Sequence, residues 1–179
     1  MLFRSLFKKN KITRLEGSAR ITAPGAVMIT DGKDKGSYQA ERIMIATGSH
    51  ASSLPGITID EKRIVSSTGA LSLDTVPKKL LVIGAGYIGL ELGTVWARLG
   101  AAVEVIEYLP RILPGMDSEV AKKFMAIAKK QGLNFRLSTA VKAAKVGKAN
   151  VSLTVAPADG GDEETIAADI ALVSVGRHP

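Results

Sequence analysis

The residues with the most chemical content are Gly84-Ala85-Gly86-Tyr87-Ile88-Gly89 and, eighteen positions past the last of them, Glu107. Gly84 permits a tight exit from a strand. Gly86 lacks the Cβ that would hold a ligand away from the backbone. Gly89 lets a helix pack close to that strand. A helix starting here offers free N–H groups and about half a unit of positive charge, so the chemistry is recognition of a diphosphate. An acid some ~20 residues on completes the dinucleotide fingerprint, because a carboxylate at a strand end can accept from both hydroxyls of the adenosine ribose. Glu107 would repel a 2′-phosphate, which favours NAD over NADP, although Arg111 lies close enough in sequence to soften that preference. Glu91 has two readings: an acid near a helix N-terminus that complements the dipole, or a group pointing into the cleft toward the nicotinamide end.

A glycine pattern alone is weak, so the flanking elements decide. Leu80-Leu81-Val82-Ile83 is an apolar run suited to a parallel strand buried on both faces. Ile88, Leu92, Val95 and Leu99 are spaced 4, 3 and 4, which predicts one face of a helix, and Gly100 suits its C′ position. A second strand runs from Ala101 to Ile106. Asp117 is a good N-cap for another helix with Val120, Phe124, Ile127 and Ala128 at helical spacing, stopped by Gly132. A strand over Leu133 to Leu137 follows. The pattern then alternates over Ala140 to Val146, Val151 to Val155 and Glu164 to Ala168, with turn residues Ala158 to Asp162 between the last two. Ile170 to Val175 closes with another buried strand. The fold class expected is α/β: a Rossmann-type parallel sheet with an inserted antiparallel β-meander.

Upstream, Ile12 to Leu15, Ala19 to Thr22 and Ala26 to Ile29 read as short strands separated by Pro24-Gly25 and Asp31-Gly32. Arg42-Ile43-Met44-Ile45-Ala46 reads as a buried strand ending at Thr47-Gly48. These strands have little to pack on, which suggests that the chain starts within a domain whose remainder is absent. Met1 to Ser5 carry no signal-peptide h-region. Pro55-Gly56, the Ser66 to Gly69 cluster and Pro77 mark a connection with one short helical stretch.

Composition narrows the alternatives. The 179 residues are 46% hydrophobic and 23% charged, enough to bury a sizeable core, and no apolar run suits a membrane helix. Absence of cysteine excludes a thiol nucleophile or thiolate metal site within these residues. His50 and His178 alone leave little for a zinc or Ser-His-Asp site, and no metal site is expected. The net charge of +7 comes largely from the first twenty residues, with a second group at Lys122, Lys123, Lys129 and Lys130. Few aromatics and no basic motif of known geometry accompany it, so nucleic acid is not expected and a solvated surface is.

Several stretches together, Leu6 to Lys11, Ile45 to Ser49, Leu54 to Ile57, Ile64 to Leu71, Gly84 to Gly93 and Val175 to Pro179, resemble the dihydrolipoamide dehydrogenase family of flavin disulfide oxidoreductases. Met1 to Ser5 lie outside this resemblance. It implies an incomplete FAD-binding portion over residues 1–56, a connection over 57–76 and an NAD-binding domain over 77–179. Gly84, Ala85, Gly86, Tyr87, Ile88, Gly89 and Glu107 match the family's NAD site, Val141 an adenine contact, and Gly176 a contact near the nicotinamide ribose. Glu91 matches the acid that helps place the nicotinamide, and Tyr87 looks like a gate over the flavin, its alternative being a ring packed on the sheet edge. Gly17 matches a glycine beside the FAD adenine, while Thr47, Gly48 and Ser49 match backbone near the flavin nucleotide.

The resemblance further implies oxidation of dihydrolipoamide through a redox disulfide and FAD to NAD. Its partners would be the dihydrolipoamide-bearing acyltransferase of 2-oxo acid dehydrogenase complexes and a second subunit, in bacterial cytoplasm or mitochondrial matrix. The family's N-terminal FAD motif, Cys-x4-Cys pair, later Gly-Asp motif and His-Glu acid–base pair have no counterpart here, so these residues alone are expected to lack lipoamide activity. A non-catalytic NAD-binding module and an NADP-linked disulfide reductase are the alternatives.

Overall fold

A computed structural model describes residues 2–179 and divides the chain into two compact units, one ending at Thr47 and the other running from Gly48 to Pro179. The first contains helix α1 (Leu2–Lys9) and the antiparallel strands β1 (Ala19–Ala23), β2 (Ala26–Ile29) and β3 (Gly36–Gln39), in that spatial order. Pro24 and Gly25 turn β1 into β2, with Gly25 at φ +73°. Ser18 donates both its N–H and its hydroxyl to the Asp31 carboxylate at 2.7 Å, which holds that carboxyl below the usual range.

Two expected strands of this unit do not form. Residues 12–15 and 42–46 are irregular, and Met44 and Ile45 are 89% and 71% exposed. Their apolar character predicts burial, but no described strand pairs with either segment, so no ladder forms to carry them into a core. Among the described residues before Gly48, Ile29 is the only buried hydrophobic.

The second unit is built on a five-stranded parallel sheet. Its strands are β5 (Ile64–Val65), β6 (Lys79–Ile83), β7 (Ala102–Ile106), β8 (Leu133–Arg136) and β12 (Ile170–Val173), ordered β5-β12-β6-β7-β8. Period-two alternation splits its side chains. Leu80 and Val82 face a core shared with helix α3 (Tyr87–Arg98), while Leu81 and Ile83 face a second core. That second core is closed by the antiparallel meander β9 (Thr139–Val146), β10 (Val151–Pro157) and β11 (Glu164–Ala168). Helix α4 (Ser118–Lys130) lies on the helical side, capped by the Asp117 carboxylate, and short α2 (Ser67–Ala70) is capped by Ser66. Residues 57–76 thus supply β5 and α2 to this unit. A two-stranded ribbon, β4 (His50–Ala51) with β13 (Arg177–His178), completes it. The expected parallel sheet and inserted meander are both present.

The helix faces differ from the expected ones. Helix α3 buries Gly89, Leu90, Gly93 and Trp96, whereas Val95 and Leu99 are half exposed. Helix α4 buries Ala121 and Ala128 and leaves Val120 and Ile127 half exposed. Both helices approach the sheet through small residues, so counting only bulky apolar positions rotates the predicted stripe. Across the sheet, Glu104 on β7 joins Lys79 on β6 to Arg136 on β8, and Arg136 continues to Glu164 on β11. The network ties the meander to the parallel sheet.

Candidate functional site

The site forms at the carboxyl ends of β6 and β7, where α3 begins. Gly84 adopts φ +99°, and its N–H donates to the Ile106 carbonyl at 2.8 Å, so the chain turns while still paired to β7. A Cβ on Gly84 would lie 2.6 Å from the Ser174 carbonyl oxygen. A Cβ on Gly89 would lie 2.4 Å from the Gly84 carbonyl oxygen and 2.5 Å from the Ser174 hydroxyl. These two glycines are demanded by the protein's own packing. Gly86 is different: a Cβ there would meet nothing within 4 Å. It occupies the N-cap of α3, and no side chain caps that end. The first N–H groups of the helix therefore face open space, the arrangement in which an anion supplies the missing acceptors.

Glu107 is buried, with 9% exposure. Its Oε2 accepts from the Ala85 N–H at 2.7 Å and its Oε1 from the Leu109 N–H at 2.9 Å. The carboxylate thus fastens the glycine turn to the chain leaving β7. Each oxygen keeps a further acceptor lone pair, so two more donors, such as vicinal hydroxyls, can be accommodated. The Ala85 carbonyl is held as well, by the Leu113 N–H at 2.9 Å. Arg111 braces that segment: its Nη2 lies 3.2, 3.1 and 2.5 Å from the carbonyl oxygens of Leu113, Pro114 and Met116. These contacts engage Nη2 alone, and the buried Nε has no hydrogen-bond partner among the described residues.

A cavity of about 530 Å³ opens over this corner. Gly84, Gly86, Tyr87, Ile88, Glu107, Val141 and Gly176 all line it. Ala85 and Gly89 lie behind the lining, one bound to Glu107 and the other packed on Gly84 and Ser174. Glu91 is exposed on α3 and does not line the cavity. Because the helix starts at Tyr87, Glu91 falls beyond the first turn, which removes the simplest dipole argument for it. The Tyr87 ring is 66% exposed, so it is not packed on the sheet edge. Gly17 and Thr47 belong to the first unit, Gly48 and Ser49 to the second. Gly17, at φ +153°, packs against Asp31 and Ile29, where a Cβ would come within 2.4 Å of both residues.

Several lining residues escaped the sequence reading. The Ser174 hydroxyl donates to the carbonyls of Ile83 and Gly84, at 2.9 and 3.1 Å, and supports the strand exit from behind. Arg177 reaches back to Ser49, its Nε donating to the Ser49 hydroxyl at 2.8 Å. Lys142 brings a cation to the cavity wall. None of these belongs to a local motif; Ser174 and Arg177 meet their partners across 90 and 128 positions of sequence.

Comparison with known proteins bears on this corner. Residues 3–179 match the family described as pyridine nucleotide-disulphide oxidoreductase. The chain belongs to that family. The match takes in Phe3, Arg4 and Ser5, which the sequence reading had set apart. The chain is 49% identical to mitochondrial dihydrolipoyl dehydrogenase of Pisum sativum, over 97% of its own length and 35% of the relative's. It is 51% identical to dihydrolipoyl dehydrogenase 3 of Pseudomonas putida, over 97% and 38% respectively, and 48% identical to a leghemoglobin reductase of Glycine max. Among solved structures, a copper(II) complex of a variant HOCl-induced flavoprotein disulfide reductase RclA from Escherichia coli superposes with a TM-score of 0.83 at 25% identity, over 99% of this chain and 39% of that one. The chain spans little more than a third of the length of these relatives. The Pisum sativum relative is mitochondrial and the Pseudomonas putida relative bacterial, and among the described residues no helix is long and apolar enough to cross a membrane.

Proposed function

We propose that this chain supplies the NAD site of a dihydrolipoyl dehydrogenase, with residues 77–179 as the NAD domain and residues 1–56 as the end of the FAD-binding domain. The observation that carries the reading is the union, in one cavity, of an uncapped glycine-started helix and a buried carboxylate bonded to the glycine turn itself. The N–H groups of Tyr87 and Ile88, with Gly86 leaving room, would receive the dinucleotide diphosphate. Glu107 would accept from the adenosine ribose through its remaining lone pairs. Val141 would contact adenine, Gly176 the nicotinamide ribose, and Glu91 and Tyr87 the nicotinamide end. Gly17, Thr47, Gly48 and Ser49 would contribute to the FAD site.

When bound, NAD and FAD supply the electron-transfer chemistry by which such an enzyme oxidises dihydrolipoamide, and the protein orients them. This chain's own task is narrower. Ser174 and Ile106 hold the Gly84 turn open, Glu107 and Leu113 fix Ala85 from both sides, and Arg111 rigidifies the wall beside them. The acceptor is thereby positioned without reorganisation of the backbone. In the whole protein the partners would be the dihydrolipoamide-bearing acyltransferase of a 2-oxo acid dehydrogenase complex and a second subunit.

Calorimetric titration of the chain with NAD⁺ and NADP⁺ tests the reading. NAD⁺ should saturate one site and NADP⁺ should bind at least about tenfold more weakly, roughly 1.4 kcal/mol. Equal or tighter NADP⁺ binding would overturn the preference, and a folded chain without affinity for NAD⁺ at millimolar concentration would overturn the site.

A further inference from the structure

We propose that His50 and His178 form a binding site for a divalent transition-metal ion, with Cu²⁺ its best occupant. This inference is independent of the NAD reading. The two residues are 128 positions apart in sequence, yet β4 and β13 pair them directly across the ribbon. Cross-strand neighbours place their Cβ atoms about 4.5–5.5 Å apart and project to the same face. Both imidazoles are exposed, with ring centroids 6.0 Å apart and planes at 45°.

That spacing suits chelation. Two imidazoles in cis positions of the tetragonal geometry that Cu²⁺ prefers, with metal–nitrogen bonds of ~2.0–2.1 Å, have centroids roughly 4.5 Å apart. The observed separation needs about 1.5 Å of closure, within reach of side-chain rotations at two exposed residues. Ser52 adds the orienting contact that a ligating histidine requires. Its hydroxyl lies 3.3 Å from His178 Nδ1, so with the proton on Nδ1 the Nε2 lone pair is free for a metal. The ribbon is itself anchored: the Ser52 N–H donates to the Gly176 carbonyl at 3.0 Å, and Arg177 grips Ser49.

Among the described residues no group of three or more His, Cys, Asp or Glu side chains could hold a metal. The His50–His178 site therefore supplies two protein nitrogens and leaves the remaining positions to water or a small exogenous ligand. Paired imidazoles without thiolates suit Cu²⁺, Ni²⁺ and Zn²⁺, and affinity at such a site peaks at Cu²⁺. An ion held there would join β4 to β13 immediately beside Gly176 and Arg177, which line the cavity.

The test uses the full, untagged chain and Cu²⁺ as the probe, read by calorimetry and electron paramagnetic resonance. One equivalent should bind, with a spectrum showing two nitrogen ligands. His50→Gln and His178→Gln should each weaken binding at least about fivefold, a smaller loss than removal of a ligand's orienting shell can cause. The double variant should lose the two-nitrogen signature, and the parent should gain more thermal stability on adding Cu²⁺ than either single variant, the double variant least. Both glutamines are tolerated on an exposed ribbon, and melting without metal checks that the variants fold. Absence of binding by the parent at about 1 mM Cu²⁺, a single-nitrogen spectrum, or less than fivefold weakening in either single variant would overturn the proposal.

Discussion

Replacing Glu107 separates its two duties. In the unliganded chain the carboxylate already serves the Ala85 N–H at 2.7 Å and the Leu109 N–H at 2.9 Å. Ala85 is fully buried, so Glu107→Ala leaves its amide without an acceptor and out of reach of water. That alone costs about 1–3 kcal/mol. Leu109 is 38% exposed, so its amide can turn to solvent, and the net loss there is about 0.5–1.5 kcal/mol. Glu107→Ala should therefore destabilise the unliganded chain by about 1.5–4.5 kcal/mol, the sum of the two. Glu107→Gln can keep its carbonyl oxygen on Ala85 while its NH₂ faces the Leu109 donor, so it should lose only about half as much. Urea unfolding followed by the fluorescence of Trp96, 8% exposed in the helical core, measures both variants. NAD⁺ affinity should fall by a further ~1.5–3 kcal/mol from the lost charged acceptor, in Glu107→Ala and in Glu107→Gln alike. An Ala variant as stable as the parent would show that the carboxylate does not hold the turn. A Gln variant with unaltered NAD⁺ affinity would show that its charge does not hold the ribose.

The glycines predict a contrast. Gly89→Ala, whose Cβ would collide with Gly84, Ser174 and Val82, should destabilise by about 1–3 kcal/mol in denaturant unfolding. Gly86→Ala, at φ −76° with open space ahead, should stay within about 0.5 kcal/mol of the parent yet lose dinucleotide affinity in calorimetry. Arg111→Met, which removes the donor to three carbonyls, should lower the melting temperature and raise proteolysis over residues 108–116 without improving NADP⁺ binding. Burial works to raise the Glu104 carboxyl, but the hydrogen bonds and charges of Arg136 and Lys79 prevail and hold it below the ordinary value of about 4.3. Its contribution is therefore complete above that value and lost as pH falls through the depressed one. Glu104→Gln should flatten the acid limb of a melting-temperature profile, and an unchanged limb would rule out the network as its source.

The second unit was legible because its local signals agree. Leu80 to Ile83 runs into a glycine turn and a helix, and Gly, Asn or Asp precedes or follows most later strands, so propensity, period and punctuation point one way. The reading failed where tertiary context decides. Val95, Leu99, Val120 and Ile127 have helical spacing, but spacing cannot say whether the sheet will prefer them to Gly93, Ala121 or Ala128, which permit closer approach. Ile12 to Leu15 and Arg42 to Ala46 look like strands by composition, but a strand requires an edge to pair with, and Ile29 alone among the described residues before Gly48 finds burial.

The site divides along the same line. Gly84, Gly86, Gly89 and Glu107 could be found because a crossover brings residues within ~20 positions of one another to a single corner, and the chemistry of that corner restricts their types. Ser174, Arg177 and Lys142 could not, because the sheet order places β12 beside β6 only after the meander has intervened. The fixed hand of the crossover explains the first group. The second group depends on which strand fills the gap between β5 and β6, and no single segment records that choice. The same non-local pairing that sets Ser174 behind Gly84 also sets His178 opposite His50. The glycine turn, the cavity wall and the histidine pair therefore all draw on residues 170–179, whose strands β12 and β13 pair with β4, β5 and β6, elements that precede the glycine turn in sequence.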